Sequence, residues 1–485
     1  MSTIEAPGRK SSNPLARVVG DVLVQRRAHG VFPPGPSRFD FARTRRMAHD
    51  PLGILLPLER EHGPIFSVRL LHARVVFMLG PEANHFVTVE HPELFHWRES
   101  SFGDLIPLLG DGLLTTDGAY HDRARRIMMP AFHRERILAA VQVMLDEAEA
   151  AVRGWREGQI VDVYEWTRGL AMRIAMRALL GLDPDDAGHG ALAARHFERA
   201  LAFYGIEYHL RLLRGPRSPW RRMLRSREVL DRILFEEIRA RRGAGESGGS
   251  GASVDRGDIL GMLLEARDED GSRLTDREVR DQAITLMFAG HDTTTSTLAF
   301  LLYELARNPQ ERRLLREELE DVAPGRAPTP LELERELPRL DMVLDETLRL
   351  YPPAWIGPRR AVADFEFAGH RVRAGSYVNY CSWASHRLPQ VFPDPEAFLP
   401  DRFERRRKAA LPRGAYVPFG GGSRICIGKR FGQTEVKALA AALLGRFDLD
   451  LEPAHELRIR QMPTLSPEGG LPMIVRAAGA GRGAA

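Results

Sequence analysis

The spacing of apolar and polar positions predicts a chain built mainly from helices. Residues 133–154 set Ile137, Val141, Met144 and Leu145 at helical intervals, one face of a helix. Residues 276–306 form one long apolar-faced stretch that opens with acidic residues, as a helix N-terminus prefers. At about 1.5 Å per residue it extends roughly 45 Å. Strand-like patterns are few: residues 66–79, and residues 364–381 with alternation and turn glycines. The expected fold class is mainly α with small β-sheets. Residues 1–14 and 479–485 read as tails around a folded stretch of 15–478. GAGESGGSGASVDRG (243–257) is Gly- and Ser-rich without periodicity, but helical patterns continue on both sides. It therefore reads as a surface loop rather than a linker between domains.

Composition narrows the function classes. The chain has 485 residues, and its 69 basic against 65 acidic residues leave a net charge of +4, so no charge field argues for nucleic acid. With two cysteines, Cys381 and Cys426, a disulfide scaffold or an all-cysteine iron–sulfur cluster is excluded. The first residues are polar and hold no apolar stretch long enough for a signal peptide, and nowhere do about 18 uninterrupted apolar residues occur. The expectation is a cytoplasmic protein without a transmembrane segment.

The chemistry concentrates around Cys426, in VPFGGGSRICIGKRFG (417–432). Gly420, Gly421 and Gly422 let the backbone swing close to a flat object. Arg424 stands two residues before the cysteine, and a helical pattern starts directly behind it. A cysteine at a helix N-terminus beside an arginine favours the thiolate. Lacking a second cysteine or a nearby histidine, it makes a poor structural zinc site and a good axial ligand for haem iron. Cys381, in a strand-like run, reads as a core residue.

The spacing Phe419-x-x-Gly422-x-Arg424-x-Cys426-x-Gly428 resembles the haem-binding signature of the cytochrome P450 monooxygenases. The likeness extends from about residue 35 to 476 and implies the P450 fold, a single large triangular domain without a fused reductase. It implies haem b as cofactor, with Cys426 ligating iron and Phe419 and Gly428 among the cofactor-binding residues. AGHDTT (289–294) resembles the family's oxygen-activating stretch, which gives Asp292 and Thr293 the proton relay, while His291 reads as packed or solvated. Glu346 and Arg349, one turn apart in LDETLRLYPP, resemble the family's Glu-x-x-Arg pair, joined by Arg402 of Pro400-Asp401-Arg402-Phe403 in a structural triad. The resemblance offers His121, Arg125, Arg359 and Arg424 as haem-propionate contacts. Many relatives carry tryptophan at the position of His121, and Arg360 rivals Arg359.

The function so implied is insertion of one oxygen atom from O2 into a lipophilic small molecule, by hydroxylation or epoxidation. Electrons would come from a ferredoxin or flavodoxin with its reductase, docking on Arg123, Arg126, Lys429, Arg430 and Arg405 to Lys408. Pocket walls would come from 101–115, Met287, Phe288, Ala354 to Gly357, and Met462 to Leu465. The basic stretch 211–227, seven arginines around Trp220, suggests peripheral contact with an anionic membrane, a carrier-bound substrate or a substrate carboxylate. A peroxide-driven peroxygenase and a non-catalytic haem sensor or carrier are the competing readings. The Asp292–Thr293 pair argues against the peroxygenase.

Overall fold

The computed structural model describes residues 14–27, 32–186, 188–246 and 257–478. The tails 1–13 and 479–485, and the centre of the Gly/Ser run at 247–256, lie outside the described residues. Pro14, placed at the edge of the tail by the sequence, opens a helix, Pro14–Arg27.

The chain forms two compact units, each made of two separate stretches. The first comprises Met1–Asp122 and Leu348–Cys426, the second Arg123–Thr347 and Ile427–Ala485. The Gly/Ser run falls inside the second unit and marks no boundary between the two.

The first unit is organised on a five-stranded sheet, in spatial order Ile65–Leu70, Ala73–Met78, Tyr377–Tyr380, Gly357–Ala361 and Phe95–His96. The first two strands are the expected 66–79 hairpin, in which Ile65 pairs with Met78 and Leu70 with Ala73. Val76 and Val378 pair in register and are fully buried, as β-branched residues on a covered sheet face should be. Phe365–Phe367 and His370–Val372 make a second hairpin, so the run 364–381 supplies strands to two sheets.

The second unit is helical. Asp276–Arg307 is a single helix whose start carries a capping box: Thr275 accepts from the Glu278 N–H, and Glu278 reaches back to the Thr275 N–H. It packs against Val163–Ile174 and Lys429–Leu444. A three-stranded sheet, Ile160–Asp162, Pro472–Ala477 and Phe447–Leu451, completes this unit and has no clear periodic signal in the sequence. The long helix runs unbroken past Gly290, and Thr293, Thr295 and Thr297 return their hydroxyl hydrogens to carbonyls four residues back at 2.7–2.9 Å.

Candidate active site

In the first unit, the loop ending at Cys426 is fixed by a chain of buried polar contacts. Arg349, wholly buried, donates to the carbonyls of His386 (3.0 Å), Pro395 (2.8 Å) and Ala397 (3.0 Å). His386 in turn accepts the Val417 N–H at Nε2 (3.0 Å) and places Nδ1 3.3 Å from the Arg349 carbonyl. Accepting at Nε2 requires the neutral tautomer, and burial pushes the His386 pKa down to about 3. Asn84 donates to the Gly414 carbonyl (2.9 Å), and the Cys426 N–H donates to the Phe419 carbonyl (2.9 Å), closing the loop on itself.

Two glycines of this loop have positive φ, Gly420 at 69° and Gly422 at 61°. At Gly422 a Cβ would stand 2.0 Å from the Thr88 carbonyl oxygen, so only glycine fits that approach. The Cys426 side chain is exposed and unbonded to Cys381. Cys381 is buried, and burial pushes its thiol up to about 12, which leaves it an inert core residue.

The cations differ in how their charge is balanced. Arg360 pairs with Asp21 (3.1 Å) and lies over the Tyr377 ring (4.0 Å). Arg359 points the other way along the same strand. It is 3% exposed and lies over the Trp97 ring at 3.9 Å and the Tyr380 ring at 5.3 Å. Among the described residues no carboxylate comes within ion-pair distance of it. Burial lowers its pKa, and Tyr380 and the more distant Asp117 offset this only in part. Arg424 donates to Asp117 (2.7 Å) and to the Thr116 carbonyl (2.8 Å), and also lies over Trp97, at 5.3 Å. Asp117 accepts the Trp97 and Arg98 N–H groups as well, both at 2.9 Å. His121 is buried, with Nδ1 2.8 Å from the Asp122 carboxylate.

In the second unit, the long helix is buried from Val279 to Leu302 except at Phe288, Ala289, Gly290 and Thr293. Thr293 and the residues one turn before it thus form the only partly exposed stripe in that span. Asp292 is buried beside His291, and Arg168 and Arg460 act on it electrostatically. Burial opposes its ionisation, yet these neighbours hold it below the ordinary carboxylate range. Thr294 turns the other way and donates to Glu435 (3.0 Å). Arg125, half-buried, follows one turn after His121 in the helix Gly118–Met128. Gly428 immediately precedes the helix Lys429–Leu444. Arg123 and Arg126, expected on a docking face, are ion-paired with Asp268 and, for Arg123, Glu278.

A model of the family described as Cytochrome P450 matches residues 33–471. The chain belongs to the cytochrome P450 family. It is 35% identical to cyclooctat-9-en-7-ol 5-monooxygenase of Streptomyces melanosporofaciens, over 85% of this chain and 88% of that protein. It is 31% identical to pentalenene oxygenase of Streptomyces avermitilis, over 85% and 90% of the two chains. Among solved structures it resembles retinoic acid bound cyanobacterial CYP120A1, with TM-score 0.79 and 28% identity over 92% of this chain and 99% of that one. The cytochrome P450DA haem domain gives 0.81 and 28% over 92% and 97%. This cytochrome P450 is therefore a haem-thiolate monooxygenase that acts on a lipophilic small molecule with O2 and electrons from an external redox partner. Among the described residues no helix is long and apolar enough to cross a membrane.

The residues of the first unit fit haem. Its loop offers an exposed thiol outside any disulfide, behind Gly422, whose approach to Thr88 leaves no room for a Cβ, and its sheet holds a buried guanidinium with no carboxylate within ion-pair distance among the described residues. A buried unpaired charge costs several kcal/mol, about 3–5 where a partner has been removed. A propionate would supply the missing anion. Glu346 and Arg349 are both fully buried, whereas Arg402 is only partly so and donates to the Asp394 carbonyl (2.7 Å). Trp97, Asp117, His386 and Glu435 were not singled out by sequence reasoning. None sits in a spaced motif, and their partners can lie far along the chain, as for Asp117 with Arg424, 307 positions away, and Glu435 with Thr294, 141 away.

Proposed function

We propose that Cys426 would hold haem b through its thiolate, and that Arg359 would bind a propionate, with His121, Arg125 and Arg424 as further propionate contacts. Phe419 and Gly428 shape the ligand loop. The observation that carries this reading is the Cys426 loop: an exposed thiol whose backbone is locked by the Phe419 carbonyl and by the glycine-only approach of Gly422 to Thr88. Arg359 is preferred to Arg360 because Arg360 already spends its charge on Asp21. Thiolate-bound haem supplies the reduction and cleavage of dioxygen, with sulfur electron density assisting the cleavage.

The chain's own contribution is proton delivery and exclusion of water. Thr293 is partly exposed on the long helix, and its hydroxyl donates to Ala289 while keeping lone pairs to accept a further proton. Asp292, adjacent and held ionised, serves as the proton carrier behind it. Glu346, Arg349 and Arg402 act structurally, by fixing the segment before the ligand loop.

The substrate we propose is a terpenoid, a largely hydrocarbon skeleton, by analogy with the relatives named for cyclooctat-9-en-7-ol and pentalenene. The electron donor is a ferredoxin or flavodoxin with its reductase, docking through Lys429, Arg430 and Arg405 to Lys408, and the location is the cytoplasm. The stretch 211–227 exposes Leu212, Leu213, Arg217, Arg221 and Arg222, a composition suited to peripheral contact with an anionic surface. The test is turnover of cyclic terpenes under labelled dioxygen with a reductase system, compared with peroxide alone. Label in the product only with the reductase supports the proposal. Turnover with peroxide alone, or ligand binding without product, contradicts it.

A further inference from the structure

One end of the sheet in the first unit carries exposed apolar side chains brought together from three segments. The stretch before the helix Phe41–His49 runs beside the strand Ile65–Leu70, where the Ser67 N–H donates to the Pro34 carbonyl (2.7 Å) and the Arg69 N–H to the Pro36 carbonyl (3.0 Å). Continued in the same direction, the chain brings Phe39 to the end of that strand, where the hairpin turns at Leu71 and His72. His72 Nε2 stands 3.1 Å from Asp21 Oδ2 and ties the turn to the helix Pro14–Arg27. Val19 and Leu23 lie two positions either side of Asp21, which on a helix places them on the face turned away from it. Val19, Leu23, Phe39, Phe41 and Leu71 are all exposed, Phe39 to 56% and Phe41 to 70%.

Folding alone does not account for these residues. Asp40 caps the helix Phe41–His49 by accepting the Arg43 N–H (3.1 Å), and the Arg43 guanidinium donates to the Arg38 carbonyl (3.1 Å), so the backbone is fixed on both sides of Phe39. An apolar residue before such a cap commonly packs on the fourth helical residue. Here that residue is Thr44, whose hydroxyl donates to the Asp40 carbonyl (2.9 Å), and Phe39 stays outside. Leu71 has φ 48°, at the first position of a two-residue hairpin turn that favours glycine. Leucine there is both strained and exposed.

The charge around these side chains names the partner. Residues 14–50 hold seven arginines and three aspartates, the same net +4 as the entire chain. All three aspartates are already engaged: Asp21 with Arg360 (3.1 Å), Asp40 with Arg43 (3.4 Å) and Asp50 with Arg46 (2.8 Å). Arg26, Arg38 and Arg45 are exposed and have no carboxylate within ion-pair distance among the described residues. Arg26 follows Leu23 by three positions and shares its helix face. Arginine lays its stem along apolar surface while its head reaches outward to phosphate. A protein partner would need acidic groups spaced to match these arginines. A bilayer offers anions at every spacing and an apolar layer beneath them. It is also where a lipophilic substrate concentrates.

We propose that this end of the first unit docks on an anionic lipid bilayer. Val19, Leu23, Phe39, Phe41 and Leu71 enter the boundary between headgroups and acyl chains, and Arg26, Arg38 and Arg45 meet the lipid phosphates. The contact is peripheral and reversible, made by single side chains held on a rigid sheet end. It is a separate surface from the stretch 211–227, which belongs to the second unit, and it requires nothing of the haem site.

The test is co-sedimentation of the holoenzyme with vesicles of two parts phosphatidylcholine to one part phosphatidylglycerol, and with vesicles of phosphatidylcholine alone. Binding should favour the anionic vesicles and fall as ionic strength rises. Phe39→Ser with Phe41→Ser should lower the partition about tenfold or more, and Arg38→Gln with Arg45→Gln about 30-fold. Both variants should keep the wild-type carbon monoxide spectrum, which shows the fold intact. Leu71→Gly should bind more weakly with no fall in Tm; a lowered Tm with unchanged binding removes Leu71 from the patch. No sedimentation with anionic vesicles overturns the proposal, and so does full binding by the phenylalanine variant. Loss of binding only in Leu212→Ser with Leu213→Ser would put the contact on the stretch 211–227 and overturn it. A wild-type dimer that the phenylalanine variant turns into a monomer, without vesicle binding, would give the patch to a second copy of the chain and overturn it as well.

Discussion

Replacing Glu435 with glutamine is expected to stabilise the protein at neutral and alkaline pH and to abolish one component of its pH dependence. Glu435 sits on the helix Lys429–Leu444, 3% exposed, and accepts a hydrogen bond from Thr294 at 3.0 Å. Burial pushes its carboxyl up to about 8 from an ordinary value of 4.5, and the Thr294 bond offsets this only partly. Below pH 4.5 both folded and unfolded chains hold the proton. Between there and about 8 the unfolded chain ionises while the folded one does not, so stability falls with rising pH by about 1.4 kcal/mol per unit. At pH 7 the accumulated loss is about 3 kcal/mol. Glutamine does not titrate, and its side-chain oxygen can accept the same Thr294 bond. Guanidinium unfolding of wild type and Glu435→Gln, followed by tryptophan fluorescence across about pH 5 to 8, measures the difference. It should widen in favour of the variant by about 1.4 kcal/mol per unit. A difference that stays constant over that range would refute the reasoning.

Other perturbations test the scaffold of the ligand loop. Arg349→Met strands the carbonyls of His386, Pro395 and Ala397 and should cost about 3–5 kcal/mol, read as a lower Tm with loss of bound haem. An unchanged Tm would count against the anchoring role. Gly422→Ala forces a Cβ against the Thr88 carbonyl at φ 61° and should lower haem content, whereas Gly432→Ala meets open space in a helix and should stabilise by up to about 1 kcal/mol. Equal haem retention in the two variants would dismiss the close-approach argument. Arg359→Gln should weaken haem retention more than Arg360→Gln, since Arg360 is committed to Asp21; the reverse order in a haem-transfer assay would exchange their roles.

The long helix was legible because its apolar face persists for many turns and its start is written locally, in the Thr275–Glu278 capping box. The Cys426 loop was legible for a different reason: its glycines, arginine and cysteine are contiguous, and a close approach there excludes other residues. The three-stranded sheet was not, because Ile160–Asp162, Phe447–Leu451 and Pro472–Ala477 are too short for alternation to register and meet only after distant segments pair. Arg359 and Arg360 looked interchangeable in the sequence. Strand geometry sends them to opposite faces, and only there does Asp21 distinguish them. His291 read as packing because a single letter in AGHDTT carries no information about the Arg168 carbonyl, which lies 123 positions earlier.

The central claim is the bond between the Cys426 sulfur and haem iron, and the carbon monoxide spectrum of the reduced protein reports on it directly. Wild type should give the strongly red-shifted Soret band of a thiolate-bound haem, and Cys426→Ser should lose it while retaining its helical signature. Absence of the band in haem-loaded wild type, or its survival in Cys426→Ser, would contradict the account.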